Sequence, residues 1–105
     1  MENFKNKIAV VTGGGTGMGR ELVRQLAAEG CHVAMCDVIK ENMDETFEIV
    51  SKECPNIKVT KHTCDVSDEE QVLQFKDEVL DQHDTTVINL LFNNCLLYTS
   101  DAADE

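Results

Sequence analysis

The chain reads as an α/β protein, the first half of a doubly wound parallel sheet. Three observations carry that expectation. Short apolar runs of strand length alternate with apolar stripes at helical spacing; the connections are brief; and a glycine-rich turn joins the first strand to the first helix. Residues 7–11, KIAVV, form a β-rich run that stops at Thr12 and the glycines, as a buried strand would. A helix is expected to start near Gly17: Met18, Leu22 and Leu26 recur at helical spacing, Val23 and Ala27 widen the stripe, and Gly30 supplies the stop. Residues 32–36, HVAMC, make the second strand, which ends at Asp37. Met43, Phe47 and Val50 stripe the second helix. Pro55 ends it, because proline lacks an N–H and pushes the residue before it out of helical geometry. Residues 57–63 alternate as a third strand. Ser67-Asp68-Glu69-Glu70 has the form of a capping box, in which the serine hydroxyl takes an orphan backbone N–H and Glu70 reaches back. Val72, Phe75 and Val79 carry the third helix. Residues 87–92 form a fourth strand, continuously apolar apart from Asn89. Right-handed helical crossovers between parallel strands then give the order 3-2-1-4. The outer side of the fourth strand is left as an apolar edge, open to pairing with other chains.

The turn VVTGGGTGMGR places Thr12, Gly13, Thr16, Gly17, Met18 and Gly19 between strand and helix. Glycines suit this place because the backbone must turn sharply and approach a ligand closer than a Cβ permits. The helix behind them points unpaired N–H groups and a positive dipole end at the same spot, which favours a pyrophosphate. The strict GxGxxG string is absent, so position between strand and helix carries the weight. Asp37 ends the second strand where a dinucleotide site wants an acid, able to accept from both ribose hydroxyls of an adenosine. It would repel a 2′-phosphate: like charges about 4 Å apart cost roughly 4 kcal/mol at an effective dielectric of 20. Val38 follows it, and Thr16 rather than a basic residue precedes Gly17, so NAD is expected over NADP. The blander role for Asp37 is a solvated loop acid. Arg20, on the first helical turn, is expected to be exposed or packed by its stem.

Together, Thr12-Gly13-x-x-x-Gly17-x-Gly19, Asp37, CDVS at residues 64–67 and the Asn93-Asn94 pair resemble the short-chain dehydrogenase/reductase family, over residues 1–94 and in order. The resemblance implies a Rossmann-type NAD-binding domain, truncated here, and hydride transfer between a nicotinamide and an alcohol or carbonyl. It implies that Asp65 binds the adenine amino group beside the Val66 backbone. Asn93 would place its main chain near the adenine ribose, and Asn94 would tie the sheet together. For Asp65 the alternative is an acid favourable to the following helix N-terminus.

The ending departs from the family, in which the asparagine pair continues as Ala-Gly and a serine and Tyr-x-x-x-Lys follow. The tyrosine, with a free pKa of about 10, needs the lysine's ammonium beside it to exchange a proton near neutral pH. Here Cys95 and Leu96 follow the pair, Ala102 stands where the lysine after Tyr98 would be, and Ser100 comes after the tyrosine. No catalytic residue is therefore assigned, and the chain by itself is expected to be inactive. Residues 95–105, CLLYTSDAADE, match one reading frame of a transposase adapter used to prepare sequencing libraries, and are expected to be a non-native tail.

Composition excludes several other classes. The chain has 105 residues, 42% hydrophobic and 28% charged, with a formal net charge of −11, which suits one soluble domain and argues against nucleic-acid binding. No apolar run is long enough for a membrane span or a signal peptide. Five cysteines without a CxxC pair, and three histidines without ligand spacing, predict no metal site and reduced thiols in a cytoplasmic compartment. A small-molecule substrate is expected for the full-length parent, which the resemblance allows to be a homo-oligomer. Two competitors share the loop and Asp37: a non-catalytic dinucleotide-binding sensor domain, and a methyltransferase of similar topology, against which the loop spacing and the Asn93-Asn94 pair speak.

Overall fold

The computed structural model describes residues 5–93. Seven elements follow in order: β1 (Ile8–Thr12), α1 (Gly17–Ala28), β2 (His32–Asp37), α2 (Lys40–Glu53), β3 (Val59–Thr63), α3 (Glu69–Gln82) and β4 (Leu90–Asn93). All strand pairs are parallel and the order is β3-β2-β1-β4, as expected. Asn94 and residues 95–105 lie outside the described residues.

Strands β1 and β2 are buried on both faces, which is why they read as continuous apolar runs, whereas β3 and β4 are only partly covered. Ala9, Val11, Val33, Met35 and Val59 turn toward α1 and α2, where Val23, Leu26, Met43 and Val50 meet them. Val10, Ala34 and Cys36 face α3, where Phe75 and Val79 cover them in a smaller core. Each such side chain is worth about 1.5–3 kcal/mol on full burial, so the α1/α2 face carries most of the stability. Among the described residues no helix is long and apolar enough to cross a membrane.

Four local expectations are corrected. On α1 the buried residues are Gly19, Val23, Leu26 and Ala27, while Met18 is 72% exposed. On this turn it is Gly19 that packs inward, against Gly13, and Met18 beside it faces out. On α3, Val72 is at the exposed margin and only Phe75 and Val79 are buried. The cap of α3 is Asp68, whose Oδ1 accepts from the backbone N–H groups of Glu70 and Gln71. Ser67 instead donates its hydroxyl to Asp65, and the cap moves one residue on; no reciprocal box closes, since Gln71 donates to Asp68 Oδ2 and Asp68 N donates to Asp65 O. Strand β4 starts at Leu90, because the Asn89 side chain takes the ladder position. Its Oδ1 accepts from Ile8 N at 2.9 Å, and its own N–H donates to Ile8 O.

The α1 end is as expected. Gly30 N donates to Ala27 O and Cys31 N to Leu26 O, a Schellman pair that turns the chain into β2.

Candidate functional site

Parallel strands place their carboxyl ends on one edge of the sheet. Thr12, Asp37 and Asn93 therefore end β1, β2 and β4 on the same side, with Asp65 and Val66 just beyond β3. The chain turns to opposite sides of β1 in reaching β2 and β4, which leaves a crevice at the β1/β4 end.

The glycine turn sits over this edge. Gly13 N and Gly14 N both donate to Cys36 O, pinning the turn to the end of β2. Gly19 is packed so closely on Gly13 that a Cβ would fall 1.7 Å from the Gly13 oxygen. Gly17 has φ +58° and open space where a Cβ would stand. Thr16, the N-cap of α1, makes no side-chain cap bond, and the first turn carries no acidic residue. The leading N–H groups of α1 thus have neither a capping oxygen nor a carboxylate, the arrangement that suits an anionic ligand.

Asp37 lies directly beside the turn. Its Oδ2 accepts from Gly15 N at 3.1 Å, and its Oδ1 accepts from Val38 N at 2.7 Å. The carboxylate therefore also steers the chain from β2 toward α2. Asp65 is exposed at the next strand end, with the Ser67 N–H and hydroxyl both on its Oδ1. Those two bonds hold its carboxyl below the usual aspartate range. Thr12 is buried and its hydroxyl donates to Phe92 O at 3.3 Å, tying β1 to β4. Val66 packs at the edge of the smaller core, Asn93 is exposed opposite Thr12, and Met18 and Thr16 are exposed at the mouth.

Sequence reasoning missed three participants. Gly15 donates to Asp37, and its carbonyl accepts from Thr46 Oγ1 at 3.0 Å and Arg20 Nη2 at 2.8 Å. Arg20 is neither free nor packed merely by its stem. It bridges α1 to α2, where Thr46 and Glu45 receive it. The available signal was Thr46, a hydroxyl inside the apolar Met43–Val50 stripe. Among the described residues no three His, Cys, Asp or Glu side chains are grouped to hold a metal ion.

Comparison with known proteins agrees with this geometry. A family model described as short chain dehydrogenase matches residues 7–104. An uncharacterised oxidoreductase of Bacillus subtilis is 37% identical over 94 residues, covering 90% of this chain and 33% of that protein. The crystal structure of levodione reductase superposes with a TM-score of 0.80 at 30% identity, over 85% of this chain and 34% of that one. A short-chain dehydrogenase/reductase from Burkholderia phymatum in complex with NAD gives 0.77 at 28% identity, over 87% and 31%. The chain thus spans about a third of the length of the relatives it matches. A glycine turn over the carboxyl edge, an acid at the end of β2 and a family match across nearly the whole chain agree: this chain belongs to the short-chain dehydrogenase family.

Proposed function

We propose that the chain is the adenosine-diphosphate-binding half of an NAD-dependent oxidoreductase, and that the whole protein acts on an alcohol or carbonyl compound. The observation that carries this is the Asp37 carboxylate bonded to the Gly15 amide, which sets an acid against the glycine turn. The residues fit the coenzyme: the uncapped start of α1 at Gly17, Met18 and Gly19 suits a pyrophosphate, and Asp37 suits a ribose diol. Asp65 and Val66 would serve the adenine, and Asn93 the ribose from the β4 side. Thr12 holds β1 to β4 beneath them. When bound, the nicotinamide supplies the hydride chemistry. Asp37 sets the preference for NAD, since its charge opposes a 2′-phosphate. The relative bound to NAD supports that choice of coenzyme. The chain alone is inactive in this reading, since it carries no Tyr-x-x-x-Lys. Among the described residues Cys31, Cys36, Cys54 and Cys64 form no disulfide, which suits a reducing, cytoplasmic setting.

Titration with NAD and NADP separates charge from fold. Asp37→Asn keeps an oxygen for Val38 N and removes the charge. It should narrow the preference for NAD over NADP by about tenfold with little change in melting temperature. Equal affinity of the unaltered chain for both coenzymes would contradict the assignment of Asp37. A full-length reading frame without Tyr-x-x-x-Lys beyond Asn94 would favour the non-catalytic sensor instead.

A further inference from the structure

We infer that Thr46 and Arg20 are positioning residues for the adenosine ribose, acting through Gly15. The inference rests on the dinucleotide reading above and deepens it. Gly15 is held at both of its main-chain polar atoms by three different elements. Its N–H is fixed by Asp37 at the end of β2, and its carbonyl by Thr46 from α2 and Arg20 from α1.

The direction of each bond follows from donor chemistry. A guanidinium can only donate, so Thr46 Oγ1 accepts from Arg20 Nε at 2.9 Å. The one hydroxyl proton of Thr46 is then committed to Gly15 O at 3.0 Å. Arg20 Nη2 meets the same carbonyl and also reaches Glu45 Oε1 at 2.8 Å. Thr46 is fully buried between Met43 and Val50 on an otherwise apolar helix face. Packing there would be served as well by valine; what the hydroxyl adds is the bond to Gly15.

Gly15 and Asp37 form one unit, in which the amide orients the carboxylate and the carboxylate would take the diol. Loosening the carbonyl side frees Gly15 to turn and blurs the aim of Asp37. The N–H groups of Gly17, Met18 and Gly19 at the start of α1, which would take the pyrophosphate, belong to none of these bonds. Losing the Thr46 hydroxyl should therefore weaken recognition of the ribose hydroxyls and leave phosphate binding nearly untouched.

Equilibrium dialysis of the 105-residue chain against AMP and 2′-deoxy-AMP tests this. The unaltered chain is expected to prefer AMP by about tenfold, the worth of one hydrogen bond to a charged group. Thr46→Val should bring that ratio close to one by weakening AMP alone, and Thr46→Ser should restore it. Arg20→Lys, which loses the fork, should act in the same direction if Thr46→Val fails to fold. A ratio unchanged in both Thr46→Val and Arg20→Lys overturns the inference. So does a parallel loss for both nucleotides, which is the mark of a merely structural role. If the unaltered chain binds neither nucleotide saturably, the dinucleotide reading falls and takes this inference with it.

Discussion

Asp84 occupies a position that usually belongs to glycine. It has φ +50° just past α3, where Asp84 N donates to Asp81 O and Thr85 N to Leu80 O, a second Schellman ending. Asp84→Gly should stabilise the chain by about 0.5–1 kcal/mol, read as a melting temperature higher by about 4 °C. An unchanged or lower midpoint would contradict that account. The turn glycines divide by role. Gly19→Ala forces a Cβ into the Gly13 oxygen and should cost about 3 kcal/mol or prevent folding. Gly17→Ala meets no atom and should cost about 1 kcal/mol for its φ, yet lower NAD affinity about tenfold by filling the space ahead of α1. Parallel thermal melts and NAD titrations separate the two. Equal damage to stability from both would show that the turn is only structural.

At the scale of elements, β3 and α3 are joined by a buried polar chain. Glu78 Oε1 lies 2.8 Å from His62 Nδ1, which therefore carries a proton. His62 Nε2 lies 2.8 Å from Thr60 Oγ1. His83 Nε2 lies 2.8 Å from the same hydroxyl, and His83 Nδ1 is buried with no hydrogen-bond partner. A proton added there would be a buried donor without an acceptor. Burial first, then the positive fields of Lys58, His62 and His32, push His83 down to about 4. The unfolded ring binds a proton near pH 6.5, so the unfolded state is favoured as protons are added. The contribution is complete above about pH 6.5 and lost as pH falls toward 4, by at most about 3 kcal/mol. Urea midpoints at pH 7.5 and 4.5 check this. His83→Gln should flatten the difference, and an equally steep loss in that variant would exclude His83 as its source.

Periodicity placed the seven elements, because burial on two faces writes continuous apolar runs into β1 and β2 and one-sided burial writes stripes into the helices. Crossover handedness then gave the order. Periodicity also placed Asp37 and the glycine turn, whose chemistry is local. Asp68 as the cap, the exposure of Met18 and the reach of Arg20 were not legible, since each depends on which layer lies opposite. Thr46 was the exception that could have been read, as a polar residue in an apolar stripe. The roles of Asn94 and of residues 95–105 lie outside the described residues.

Over the whole molecule the two faces of the sheet are unequally covered. Helices α1 and α2 seal one face, whereas on the other α3 leaves a largely apolar groove lined by Val10, Val72, Phe75, Val79, Ile88 and Leu91 together with Lys76. Leu91 is 59% exposed beside the outer edge of β4. Among the described residues β4 has no strand on its outer side, and such an edge next to an apolar groove favours association of chains even at a net charge of −11. Sedimentation should show concentration-dependent self-association, which Leu91→Glu reduces with little change in melting temperature. A monomer at all concentrations would contradict this.

The central claim is that the carboxyl edge of the sheet, between the glycine turn and Asp37, receives the coenzyme. Hydrogen–deuterium exchange with and without NAD tests it most directly. The account predicts protection concentrated at residues 13–19 and 37–39, abolished by Asp37→Ala. Protection confined to the groove beside α3, or none at saturating NAD, would contradict it.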